Sequence, residues 1–337
     1  MEKKIIPVIL AADENYFTPL VVTISSVMAH ANPNDFYDFR VLVDKPFSNE
    51  KITFLKGVMA KGNCSIKTED MSAVNKNLKS RISHISIATF YRLWATDVLS
   101  EYDKCIYLDV DISVVDDLAL LYSFNVSDFY IAGVKAPPFH LHPDGYRSHC
   151  NKLGIPSIDH YVNAGVLLMN LRRIREDKID IQMQQLIGKD FPVQDQDIFN
   201  VACYGHILLL PPKYNLMITR DISKEDMYVV FGKEGTEEAY NNACIIHYAG
   251  KLKPWQSPLL EFSFQWWNVA IMLPSFHDIW DNMVEKLAEN EIINKTSVEY
   301  RIGSLFTFIP QKFSLLFSFI KDYGFKGLAY KIKEKFK

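Results

Sequence analysis

A chain of 337 residues, 48% apolar and 23% charged, has the balance of a soluble globular protein and excludes a disordered or fibrous one. It is long enough for one large domain or two around a substantial core. The net charge of −3 conceals an asymmetry: residues 301–337 hold eight Lys or Arg against Asp322 and Glu334, a net +6, which leaves −9 on residues 1–300. An acidic body with a basic tail points to an acidic surface as the tail's partner, and nothing in the pattern calls for nucleic acid. Five widely spaced cysteines without a CxxC suit a reducing compartment and argue against a disulfide framework or a structural zinc.

Ile5 to Ala12 is apolar but stops at Asp13, too short for a signal peptide, and reads as a first strand. Thr18 and Pro19 then open a helix running toward Ala31. Phe39 to Val43, Asn49 to Met59 and Ser65 to Thr68 continue as strand, helix and strand, which predicts a mostly parallel, doubly wound α/β sheet. Gly57 and Gly62 have P-loop spacing, but Asn63-Cys64 stand where Lys-Ser/Thr is needed, and no GxGxxG occurs. Phosphate must be held by something other than a glycine cradle.

Ser86 to Leu99 reads as a helix with Ile87, Phe90, Tyr91, Trp94 and Val98 on one stripe. Arg92 lies off that stripe on a largely apolar helix, so it needs a carboxylate or phosphate partner; a structural ion pair with Asp97 or another aspartate is one reading. Lys104 to Ile112 is the stretch around which the chain is organised. Its short apolar run ends in Asp109-Val110-Asp111. Ligands gather beyond the carboxyl ends of strands in open α/β sheets. Two carboxylates there repel unless a cation lies between them, and carboxylate oxygens suit Mg²⁺ or Mn²⁺. The other reading of the same residues is a strand end followed by a polar turn.

Val114 to Leu121 reads as a turn or short helix and Tyr130 to Val134 as a strand. Residues 136–160, with four prolines and four histidines, read as a surface or lid segment whose histidines are solvated. Asn163-Ala164-Gly165 enters an apolar strand, where glycine permits close backbone approach. Gln194-Asp195-Gln196-Asp197 opens a helix, as caps or as the lining of a sugar site. Ile207 to Leu210 and Cys244 to His247 are strands. His247 at a strand end, followed by Gly250, Lys251 and Lys253, makes a metal–diphosphate clamp if it meets Asp111 in space. Phe276 to Asn290 is a helix. Residues 301–337 interleave bulky aromatics with lysines, the pattern of a segment lying in an anionic membrane interface or of a C-terminal helix packed on the domain. No run of about 18 apolar residues predicts a spanning helix.

AADENY at 11–16, Arg92 in FYRLW, LDVD at 108–111, NAGVLLMN at 163–170, QDQD at 194–197 and HYAGKLKPW at 247–255 occur in an order that resembles glycosyltransferase family 8, particularly bacterial galactosyl- and glucosyltransferases of lipopolysaccharide or lipooligosaccharide synthesis. The resemblance covers about residues 5–280. It implies a GT-A fold over residues 1–280 and a cytoplasmic enzyme, while the basic, aromatic residues of 281–337 read as a helical extension that would hold it peripherally on the inner membrane face. It implies a UDP-hexose donor, Mn²⁺ or Mg²⁺, a saccharide or glycolipid acceptor, and retention of anomeric configuration. Asp109, Asp111 and His247 match metal ligands. Ala12, Asp13, Asn15 and Tyr16 match uridine and ribose contacts, and Gly250 and Lys253 match diphosphate contacts. Arg92, Asn163, Asp195 and Gln196 match residues around the donor sugar. Where some members carry an acidic residue after the Tyr130–Val134 strand, this chain has Lys135-Ala136-Pro137-Pro138. The rival enzyme is a haloacid-dehalogenase-type phosphatase, whose strand-end DxDxT/S resembles Asp109 to Ser113. The non-enzyme rival is a UDP-sugar-binding protein without turnover.

Overall fold

The computed structural model describes residues 4–60, 62–75, 78, 87–141 and 143–289. The sheet is mixed but mostly parallel, with strand order β3-β2-β1-β4-β7-β6-β8. Its strands are β1 (Ile5–Ala12), β2 (Phe36–Val43), β3 (Cys64–Asp70), β4 (Cys105–Leu108), β6 (Ile131–Gly133), β7 (Val166–Met169) and β8 (Ile207–Leu209). A second, three-stranded sheet has the order β5-β10-β9, from β5 (Ile112–Val114), β9 (Leu216–Met217) and β10 (Ile245–His247). β1 is apolar throughout because both of its faces are covered, as a central parallel strand requires. Ile6, Val8 and Leu10 join one core and Ile9 and Ala11 the other, following the two-residue period of a strand.

Register aligns the ends that matter. Leu10 pairs with Leu108, so β1 and β4 finish side by side, and Asp13 and Asp109 follow at one edge. β7 runs antiparallel to both β4 and β6. That reversal brings Asn163-Ala164-Gly165, which precede β7, to the edge where β4 ends; a parallel β7 would carry them to the far side. Asp109 N–H donates to the Gly165 carbonyl at 2.8 Å.

Between β4 and β5 the chain crosses from the large sheet to the small one. The helix Phe17–His30 holds this crossing: the Thr23 hydroxyl lies 2.9 Å from the carbonyls of both Val110 and Ile112, and Ser26 Oγ accepts from Val114 N–H at 3.0 Å. Two polar side chains on a buried helix face are thereby satisfied. His247 pairs with Ile112 in the antiparallel β5–β10 ladder and with Met217 in the parallel β10–β9 ladder.

Several local expectations change. The first helix begins at Phe17, one residue before Thr18, with Tyr16 at its cap position and no side-chain cap bond; ahead of it Asp13 caps a 3-10 turn over Glu14–Tyr16, its Oδ1 accepting from the N–H groups of Asn15 and Tyr16. The expected helix around Arg92 is a 3-10 run over Ile87–Trp94 continued by an α-turn at Ala95–Val98. Arg92 Nε bonds the Thr89 carbonyl three residues back. The stretch 136–160 is largely helical, over Pro137–Leu141 and Pro143–Leu153. Three of its four prolines, Pro137, Pro138 and Pro143, stand at helix starts, where the missing N–H costs nothing, and His149 is buried. The helix Lys224–Asn241, interrupted at Gly232 with φ 73°, was missed in the sequence although Ser223 and Asp226 form a capping box at its start. No described helix is long and apolar enough to cross a membrane. The basic, aromatic stretch 301–337 lies outside the described residues.

Candidate functional site

Asp109, Asp111 and His247, from the two sides of the sheet crossing, present donor atoms all within 4.8 Å of one another. Each carboxylate divides its oxygens. Asp109 Oδ1 accepts from Arg92 Nη2 at 2.9 Å and from the Tyr107 hydroxyl at 2.6 Å, while Oδ2 lies 3.8 Å from His247 Nε2. Asp111 Oδ2 accepts from Lys253 Nζ at 2.5 Å, while Oδ1 lies 3.3 Å from the same Nε2. One oxygen of each aspartate is held by a cationic side chain, and the other faces the imidazole. Two carboxylate oxygens and an imidazole nitrogen fit a divalent ion such as Mn²⁺ or Mg²⁺. Gly165 keeps this space open: a Cβ there would stand 2.3 Å from His247 Cε1 and 2.7 Å from Asp109 Oδ2.

Burial opposes ionisation of Asp111, but the Lys253 ammonium and His247 outweigh it and hold its pKa well below the usual carboxylate range. Lys253 is 9% exposed and also donates to the Tyr248 carbonyl at 2.7 Å. Gly250 packs against Thr219 in the loop that delivers it. At the end of β1, Ala12 is buried and Asn15 exposed. Tyr16 stands edge-on to Trp255, and burial, then the charges of Asp111, Asp13 and Asp109, push its phenol to about 12. The AADENY and HYAGKLKPW segments therefore meet beside the aspartates.

Arg92 joins this edge to the QDQD helix, Gln194–Ala202. Its Nη1 donates to the Ala164 carbonyl at 2.5 Å, its Nε lies 3.1 Å from Asp195 Oδ2, and its guanidinium lies 4.2 Å from the Tyr107 ring centre. Burial would weaken the guanidinium's hold on its proton, but Asp109 and Asp195 reverse this and raise its pKa. The partners are Asp109 and Asp195, and Asp97 is not among them. Asp195 is pushed up to about 6, chiefly by burial and further by Asp109, against the Arg92 charge and the Thr89 hydroxyl bond.

Gln196 Oε1 accepts from Asn163 Nδ2 at 3.0 Å and from Ala164 N–H at 3.2 Å, and its Nε2 donates to the Tyr161 hydroxyl. Beneath it, Asp197 takes Tyr161, His149 and the Val193 N–H. Every residue singled out around the sugar in the sequence meets at this edge. Tyr107, Thr89 and Asn215 were missed. Tyr107 was legible in principle, because residues two apart on a strand share a face and Tyr107 stands two before Asp109.

A sequence model described as Glycosyl transferase family 8 matches residues 7–258. A lipopolysaccharide 1,2-glucosyltransferase of Escherichia coli is 30% identical over 72% of this chain and 71% of its own. Glycosyltransferase GlyF of Streptococcus pneumoniae serotype 4 is 28% identical over 77% of this chain, and the match spans 60% of GlyF. The galactosyltransferase LgtC, solved with donor and acceptor sugar analogues, superposes with a TM-score of 0.68 at 25% identity, over 82% of this chain and 100% of LgtC. The fold is of the GT-A type shared with that enzyme.

Proposed function

The chain belongs to glycosyl transferase family 8, and on that premise we propose that it is a retaining transferase moving galactose or glucose from a UDP-hexose to a saccharide or glycolipid acceptor of lipopolysaccharide or another cell-surface glycan. The observation that carries this reading is the meeting of Asp109, Asp111 and His247 beside Lys253 and the end of β1. Asp109 Oδ2, Asp111 Oδ1 and His247 Nε2 would hold Mn²⁺, with Mg²⁺ as substitute. A divalent ion bound there supplies Lewis-acid stabilisation of the departing diphosphate.

The chain's own residues supply the rest. Ala12, Asp13, Asn15 and Tyr16 receive the nucleoside at the end of β1. Lys253 and the Gly250 backbone receive the diphosphate, where a fixed positive charge is most useful as negative charge develops. Asn163, Gln196, Asp195 and Arg92 frame the sugar, and the Asp195 charge favours positive character at the anomeric carbon. Both Asp195 oxygens are engaged, by Thr89 and Arg92, and Gln196 Oε1 takes two donors. None is free as a nucleophile, which favours attack by the acceptor on the face that UDP leaves. Asp109 follows the fourth strand in chain order rather than the first, and its Oδ2 faces His247 and Asp111, which favours the metal-holding role over that of a phosphatase nucleophile.

The experiment is UDP release from a panel of UDP-sugars, with Mn²⁺ and then with EDTA. We expect release from one UDP-hexose that EDTA abolishes. Silence with every UDP-sugar, together with absent binding, would overturn the proposal. Residues 1–280 form the catalytic unit in this scheme and 281–337 a basic, aromatic attachment region. The helix Phe276–Glu289 crosses that boundary with Ile279 and Met283 buried. Removing residues 301–337 should end binding to anionic vesicles, and unchanged binding would refute the attachment role.

A further inference from the structure

Asn215 precedes β9, is 1% exposed, and lies between two groups of the site. Its Oδ1 is 3.0 Å from His247 Nδ1, and its Nδ2 is 2.9 Å from Asn163 Oδ1. Amide orientation is settled by partners that can only donate. Gly165 N–H donates to Asn163 Oδ1 at 2.9 Å, so that oxygen is fixed. Asn163 must then give its NH2 to Gln196, whose Oε1 is fixed in turn by Ala164 N–H. The same Asn163 oxygen requires the NH2 of Asn215, which leaves Asn215 Oδ1 for His247. The Nδ1 of His247 is therefore the donor, and its Nε2 lone pair faces Asp109 and Asp111.

We infer that Asn215 is a positioning residue that sets the tautomer and ring orientation of His247 and ties the metal-holding histidine to the sugar-framing Asn163. The two backbone N–H groups of the NAG turn impose the polarity of the whole chain of bonds. Metal affinity and donor-sugar placement are thereby one unit rather than two neighbouring ones. This rests on the reading of His247 as a metal ligand. A partner on the second nitrogen of a ligating histidine typically changes metal affinity by about 10–100-fold.

Two substitutions separate the halves of the role. Asn215→Leu removes both bonds. Asn215→Asp keeps an acceptor for His247 Nδ1 but sets an oxygen against Asn163 Oδ1. Mn²⁺ binding to the full chain, without any sugar nucleotide, is measured by calorimetry, with the thermal midpoint as a check on folding. We expect Asn215→Leu to weaken Mn²⁺ by about 10–100-fold and Asn215→Asp to stay within a few-fold of wild type. UDP release from the accepted UDP-hexose should fall in both, for Asn215→Asp in kcat. Equal Mn²⁺ affinity in wild type and a folded Asn215→Leu would overturn the inference and leave the metal reading standing. Equal weakening in both variants would reduce Asn215 to a structural part. Absence of Mn²⁺ binding in wild type would instead remove the reading beneath it.

Discussion

Asp111→Ala should abolish metal-dependent transfer, lowering kcat/KM on the order of 10³-fold, since a lost Lewis acid is worth several kcal/mol and each 1.36 kcal/mol is tenfold. The side chain faces His247 with one oxygen and Lys253 with the other, so its removal deletes a metal donor and frees the lysine together. Asp111→Asn separates these effects. It keeps the shape and an acceptor for Lys253, whose second bond to the Tyr248 carbonyl is untouched, yet gives up the charge a divalent ion needs. Both variants should lose Mn²⁺ binding, and Asn should keep more of the thermal stability. The pH dependence has a definite sign. Asp111 has a folded pKa below its ordinary value, so its contribution to stability is present above the usual carboxylate range and is lost as pH falls through the depressed value. Normal EDTA-sensitive turnover in either variant would sink the metal assignment.

Arg92→Leu is expected to be the most destabilising single change at the site. The guanidinium is 4% exposed and is the shared partner of Asp109 and Asp195. Breaking a buried ion pair by deleting one member costs about 3–5 kcal/mol; the shift per kcal/mol shrinks with chain length to roughly 2 °C or a little less at this size, so the thermal midpoint should fall by about 5–10 °C. Arg92→Lys keeps the charge but not the fork that reaches Ala164, Thr89 and both carboxylates at once, so it should recover only part of the loss. In metal-free protein the deficit should grow with pH. Asp195 already has a raised pKa of about 6; a raised carboxyl contributes its full stability at acid pH and loses it as pH rises through the folded value. Without Arg92 that value climbs further, so the Asp195 share of the deficit should be smallest near pH 5 and largest by pH 8, while the loss of the Asp109 and Ala164 bonds remains at both. A midpoint within about 2 °C of wild type at pH 8, judged against the roughly 2 °C expected per kcal/mol at this size, would show that the charge network is dispensable.

The parts of the site readable in the sequence were those in which a local pattern implies its own chemistry. The paired aspartates at a strand end, the NAG turn before an apolar run and the acidic helix start all carry their meaning within a few residues. Arg92 showed as an anomaly, a charge on an apolar helix, which demands a partner without naming it. What the sequence withheld depends on pairing between distant segments. Asn215 follows Pro211-Pro212-Lys213-Tyr214 with no periodicity to mark it, and its importance comes only from β9 lying beside β10. His149 sits among prolines and glycine, which suggested solvent, yet Pro143 begins the helix that carries it and the histidine closes on Asp197. The reversal of β7 had no local signature either, because a short buried strand reads alike in both directions.

The route of the chain through the two sheets also sets the order in which the molecule can become competent. Asp109 and Asp111 lie between β4 and β5, while His247 closes β10, and β5 has its ladder partner only once β10 is in place. Contacts so remote along the chain carry a loop-closure cost that local contacts do not repay, and they form late. A nascent chain reaching only β7 already contains β1, β2, β3 and β4 and the helix that grips the crossing, yet it offers two neighbouring carboxylates with neither His247 nor Lys253. On the metal reading of this site, cation uptake would report completed folding rather than template it, because the full donor set exists only after β10 has joined β5.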